Sequence, residues 1–325
     1  MIVGKTPNVE DAVFADMNHD SRLDVVSCLE GKSKKISVHF APKNDLLVAS
    51  AWTQKVLPAS DGKMMWMYAE PCQLDGKYGV DLIAAGKGEK SELGWFEAPK
   101  NGDDLNDWQW HPISSMGWVM SIILRDMDND GDMDIIVTDR KGKLQACRWL
   151  ENPGQGKKQM QAWPSHVIGA KNLEVMFMAM ADIDNDGVEE AVVAERTNQS
   201  IRIYKRENDM GIGWSEKLIN IPSTTGNAKS VEVGDINGDG VQDLVLSTNT
   251  GKEQKVGLSW ISGVDLDKPD DLEFQPISGK HLAKYDKVEL IDLDQDGDLD
   301  VLICEENFGE GSQGLGVIWY ENPFN

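Results

Sequence analysis

Apolar residues in this chain fall in short β-branched runs rather than at helical spacing. Ser121-Ile122-Ile123-Leu124 is followed, after a polar loop, by Ile135-Ile136-Val137, then by Leu144 to Leu150, and finally by Trp163-Pro164-Ser165-His166-Val167-Ile168. Runs this short, bounded by Gly, Asn and Asp, read as strands. The loop between the first and second runs has its own pattern, clearest in Asp292-Leu293-Asp294-Gln295-Asp296-Gly297-Asp298-Leu299-Asp300. Similar loops begin at Asp16, Asp126, Asp182 and Asp235, and the successive spacings are 110, 56, 53 and 57 residues. The long gap is two units, so a degraded copy is expected near residue 71. Gln73-Leu74-Asp75-Gly76-Lys77-Tyr78-Gly79-Val80-Asp81-Leu82 supplies it, with Gln73 and Lys77 in place of the first and third acids.

Two further signatures repeat with the loops. The third apolar segment ends aromatic-x-acid-x-Pro at Trp95 to Pro99, Trp149 to Pro153 and Trp319 to Pro323, and the fourth reads Trp-x-x-His/Lys-x-aliphatic at Trp52, Trp108, Trp163 and Trp214. Four short strands per repeat predict an all-β, six-bladed β-propeller of four-stranded blades. The expected repeats are 5–57, 58–112, 113–168, 169–221, 222–277 and 278–325 plus 1–4, in one domain spanning 1–325. The last copy stops after its third strand. Ile2-Val3-Gly4 aligns with Val167-Ile168-Gly169, so the N-terminal strand is expected to complete the last blade and remove its open edge. A seventh blade would need residues not present in the sequence.

The loops carry a definite chemistry. Acids at alternating positions, then a glycine and another acid, suit a hard, oxygen-seeking cation such as Ca²⁺, which takes six to eight oxygens. An EF-hand would close with Glu at its twelfth position and run on into a helix. Here that position is Ile303, inside a strand-like run. The formal net charge of −23 is therefore largely local to the loops, and it disfavours nucleic acid and anionic membranes as partners. No apolar run is long enough to span a bilayer. The four cysteines form no metal-like cluster; free buried thiols are favoured over a Cys28–Cys304 bridge.

Spaced acidic loops followed by aliphatic strands resemble the FG-GAP/VCBS-repeat calcium-binding β-propellers, a family that includes integrin α-subunit heads and many secreted bacterial proteins. The resemblance covers the whole chain, although the Phe-Gly and Gly-Ala-Pro signatures are poorly kept, which places it nearer the VCBS-type bacterial branch. It implies about five calcium ions, one per intact loop. The implied ligands are Asp16, Asn18, Asp20 and Asp24; Asp126, Asp128, Asp130 and Asp134; Asp182, Asp184, Asp186 and Glu190; Asp235, Asn237, Asp239 and Asp243; and Asp292, Asp294, Asp296 and Asp300. The second copy, with Lys77, is expected to hold an ammonium instead. Such loops suit millimolar calcium, so a secreted or periplasmic protein is expected, its signal peptide removed.

The resemblance also implies that ligands meet the face opposite the calcium loops. Counting fourteen residues from each loop start reaches Glu30, Lys87, Arg140, Arg196, Asn249 and Glu306, which would stand at one level with Glu305 beside them. Segments entering the inner strands add Trp66, Trp118, Glu174 and Lys229. This mixture of cations, carboxylates and tryptophans suits an acidic or oxidised carbohydrate; the alternative is a solvated rim with tryptophans packed between blades. His281, Tyr285 and Lys287, with Arg140, are the candidate catalytic set, because β-elimination needs a base and a cation to hold the enolate. His111 and His166 belong to the repeated outer-strand pattern and are expected to be structural. Two readings stand: a carbohydrate-binding propeller, extended to a lyase or dehydratase, and a non-catalytic protein-interaction or adhesion module.

Overall fold

The structure is a computed structural model that describes residues 3–250, 253–266, 268, 272–282, 284–306 and 314–324. The chain divides into two compact units, Met1–Val167 and Ile168–Asn325. In the first, Val9–Ala15, Asp24–Leu29, Lys35–Phe40 and Thr53–Val56 form an antiparallel sheet in chain order. Asp24–Leu29 is buried along almost its whole length, which is why it is nearly continuously apolar, whereas Thr53–Val56 is largely exposed.

The next sheet corrects the expected blade count. Met65–Cys72, Asp81–Glu97, Gln109–Arg125, Asp134–Asp139, Ala146–Leu150 and Ser165–Gly169 form one six-stranded sheet, so two sequence copies share a single ladder. The two long strands cause this. Asp81–Glu97 pairs with Met65–Cys72 through its first half and with Gln109–Arg125 through its second, and Lys87 pairs with Trp118 where a break was expected. Gln109–Arg125 then continues onto Asp134–Asp139.

In the second unit, Val175–Ala181, Glu190–Glu195, Ser200–Arg206 and Trp214–Asn220 form one four-stranded sheet. Asn227–Gly234, Asp243–Asn249, Leu258–Ile261 and Phe274–Pro276 form another. Lys255–Val256 and Lys280–His281 make a two-stranded ribbon, and Tyr285–Ile291, Asp300–Glu305 and Gly316–Tyr320 make a three-stranded sheet. The fold is all-β, a β-propeller with four-stranded blades, and among the described residues its blade sheets are five rather than six or seven.

Met1 and Ile2, the start of the expected closing strand, lie outside the described residues. Gly4 packs against the His39 ring so closely that a β-carbon would overlap it, as one on Gly169 would overlap Tyr204. His39 and Tyr204 hold the same register, opposite Val25 and Ala191. Gly4 thus meets a ring at the same register as does Gly169, the last residue of the strand Ser165–Gly169.

Packing follows the repeats. Trp163 joins Leu74, Trp95, Ile135 and Leu150 in one buried cluster. The equivalent positions Ile236, Trp260, Val301 and Tyr320 line a cavity of about 350 Å³ beside Phe324. Its lining is mainly apolar, with Glu321 and Asn322 adding polar groups.

Candidate functional site

The acidic loops are built on one plan. The ninth-position acid leads the second strand and is buried. In every copy but that of Glu190, which accepts only the Ile183 N–H among the described residues, its carboxylate ties the loop to the end of the third strand. Asp134 accepts the Met127 N–H at 2.8 Å and the Asn152 N–H at 2.7 Å. Asp24, Asp243 and Asp300 repeat the pair, with Ala41, Gly263 and Asn322 as distal donors. Asp81 does the same in the degraded copy, accepting Leu74 at 2.9 Å and Ala98 at 2.8 Å. This carboxylate is therefore a structural clamp whether or not the loop holds a cation. Burial pushes Asp24 up to about 6 and Asp134 up to about 7, against the lowering by these N–H groups.

Three loops converge their donors as a cation would need. One carboxylate oxygen from each of Asp126, Asp128 and Asp134 lies within 4.8 Å of the others; Asp182, Asp184 and Glu190, and Asp292, Asp294 and Asp300, behave alike. The first acid of each folds the turn, as where Asp292 accepts the Asp296 N–H at 3.1 Å and the Gly297 N–H at 3.1 Å. Gly297, at φ 102°, takes a conformation that side chains resist. In the loops at Asp16 and Asp235 the third position is Asn; Asn18 and Asn237 each donate their amide to the neighbouring fifth-position Asp at 3.0 Å. These all-oxygen donor sets fit calcium. In the second copy Lys77 Nζ lies 2.7 Å from Asp75 and 2.6 Å from Glu97, an ammonium where the other loops have an acid.

At the other ends of these strands, the first unit brings four of the sequence candidates together. Lys87 Nζ is paired with Glu30 and lies 3.5 Å from Glu10. It sits 4.5 Å from the centre of the Trp118 ring, as does the Arg140 guanidinium, and Lys141 Nζ is 4.9 Å away. Asp139 fixes this arrangement from below, accepting the Gly117 N–H at 3.0 Å and the Trp118 N–H at 2.9 Å. Arg140 N–H donates to the Trp118 carbonyl at 2.8 Å. A β-carbon on Gly117 would overlap the Lys141 carbonyl, so only glycine lets this turn close. The buried Trp118 indole N–H has no hydrogen-bond partner among the described residues. Burial, then the hydrogen bond with Glu30, push Glu10 up to about 7.

The second unit holds a cluster at matching positions. Lys229 Nζ is 2.7 Å from Asp286 and 3.5 Å from Glu306, and Lys284 also pairs with Glu306. Burial pushes Asp286 to about 7. Burial would raise Glu306 too, but the hydrogen bond from Asp286 and the charges of Lys229 and Lys284 hold it at about 2. Asp286 and Glu306 stand at the same offsets from their loop as Glu10 and Glu30 do from theirs.

Several candidates take other roles. Trp66 is no ligand platform: it is fully buried, packed against Phe96 and Trp110, and its indole donates to the Ser60 carbonyl at 3.0 Å. Trp118, covered by cations, is a hub for charge rather than a bare stacking face. Tyr285 is fully buried with its hydroxyl 2.8 Å from that of Tyr320. Burial and that bond push its ionisation upward, which unfits it as a base. Lys287 is exposed and pairs with Glu289. His281 pairs with Lys255 through the backbone, and its side chain lies outside the described residues. Arg140 belongs to the first unit, Tyr285 and Lys287 to the second. Glu305 is buried and accepts the Lys284 and Leu315 N–H groups at 2.9 and 3.1 Å, a structural use. Arg196 N–H donates to the Glu174 carbonyl at 2.9 Å, and Asn249 forms a β-bridge with Lys284.

The repeated histidines are structural. His111 bonds Glu97 at 2.9 Å, and His166 bonds Glu151 at 2.8 Å while stacking on Trp149. No disulfide joins the four cysteines among the described residues. Arg148, Asp286 and Glu232 escaped the sequence reading. Arg148 is buried 3.8 Å from Asp139 and donates to Ser114 and Ser165 at 3.1 Å. A single arginine within Ala146–Leu150 was its only signal.

Residues 182–246 match the FG-GAP-like repeat family. Together with the repeated loop-and-blade unit, this match supports an FG-GAP-repeat β-propeller. None of the curated proteins matches it. No helix among the described residues is long and apolar enough to cross a membrane.

Proposed function

We propose that this protein is a calcium-stiffened binding module that takes a carboxylate-bearing carbohydrate at the cluster around Trp118. The observation that carries the reading is the convergence of Lys87, Arg140 and Lys141 on one indole ring. Such a cluster offers cations to a carboxylate, while Glu10 and Glu30 accept from hydroxyls. Calcium at the acidic loops supplies rigidity, and its expected affinity places the protein where calcium is millimolar, outside the cell or in the periplasm. No elimination step is proposed, because Tyr285 is occupied by Tyr320.

The test is calorimetric titration with an oligo-uronate and with a neutral oligosaccharide of equal length. The uronate should bind at least tenfold more tightly, and Lys87→Ala with Lys141→Ala should remove that preference. Equal binding of the two sugars, or a preference untouched by both substitutions, refutes the site. A protein partner is the second reading, favoured by the exposed run Leu46-Leu47-Val48, where Leu47 is 86% exposed. Binding of an acidic peptide but not of uronate would select it.

A further inference from the structure

We propose that Lys205 is a built-in cation for the loop Asp182–Glu190, so that this loop closes without calcium while its counterparts at Asp126–Asp134 and Asp292–Asp300 take the ion. The proposal rests on the calcium reading of those counterparts. The register argument comes first. Ile135 pairs with Leu150, Val301 with Tyr320 and Ala191 with Tyr204. The next residues along the third strands are Glu151, Glu321 and Lys205. One and the same place beside the ninth acid therefore carries a carboxylate in two copies and an ammonium in the third.

Geometry agrees with the register. Lys205 Nζ is bonded to Asp184, lies 2.7 Å from Asp186, and stands 3.8 Å from Glu190 Oε1. That oxygen belongs to a fully buried side chain and accepts no hydrogen bond among the described residues, and a carboxylate oxygen of Glu190 converges with ones from Asp182 and Asp184. An ammonium so close to the donors repels a divalent ion and neutralises part of the charge that would attract it. The chain uses the same device once more from a different position, where Lys77 of the second loop is held by Asp75 and Glu97. Two loops have thus reached an internal cation by separate substitutions, one within the loop and one across the ladder.

Counting bound calcium on the full chain tests this, by equilibrium dialysis at about 1 mM free ion. Asp184→Ala should leave the count unchanged, Asp294→Ala should lower it by one, and Lys205→Met should raise it by one. Lys205→Gln serves if the methionine variant does not fold. A count lowered by Asp184→Ala in the otherwise unaltered chain, or a count not raised by either Lys205 variant, overturns the proposal. If Asp294→Ala changes nothing and no calcium binds at all, the calcium reading of the loops fails, and the proposal with it.

Discussion

At the scale of single residues, buried charge is what makes this protein sensitive to its surroundings. Glu232 lies in the strand Asn227–Gly234, and burial, then the nearby Glu289, push its carboxyl up to about 8 from an ordinary 4.5. A folded state that holds its proton more tightly than the unfolded chain is favoured at low pH and loses that advantage as pH rises. Between pH 4.5 and 8 the stability from this group should therefore decline with rising pH. Glu232→Gln should flatten that decline and stabilise the protein by roughly 1–3 kcal/mol at pH 8.5, read from urea melts across the range. A variant whose pH profile parallels the parent's would contradict the assignment. Gly117 is the second sensitive point. Gly117→Ala drives a methyl into the Lys141 carbonyl, so it should cost about 1–3 kcal/mol and weaken uronate binding several-fold by parting Lys141 from Trp118.

At the scale of elements, what could be read in advance was local and what could not was long-range. Acids and glycines at fixed offsets specify the loops because each loop folds on its own side chains; Asp292 and Asp296 need no distant partner to make the turn. Counting from the loops brought Glu30, Lys87, Arg140 and Trp118 to one place, since equal offsets on equal hairpins reach equal levels. Lys87 pairing with Trp118 was not legible, because a ladder that runs on between two copies depends on how neighbouring strands approach. Trp66 was misjudged for a similar reason. The register shifts between Trp66 and Tyr68, a bulge that alternation does not announce. Lys205 was missed because its partners, Asp184 and Asp186, lie far back in the chain, across the hairpin that leads to its strand.

At the scale of the whole molecule, repetition separates scaffold from function. The ninth-position clamp appears even at Asp81, where Gln73 and Lys77 replace two of the loop's acids, so the clamp belongs to the fold. The opposite ends of the strands differ from copy to copy, with cations over Trp118 in one unit and Lys229 between Asp286 and Glu306 in the other. A cation that binds only the folded chain stabilises it by mass action, by about 2.7 kcal/mol per site at a hundredfold excess over its dissociation constant. The most direct measurement of the central claim is thus the melting temperature with calcium and with excess chelator. Calcium should raise it by more than about 5 °C, and an identical melting temperature in both would contradict the account.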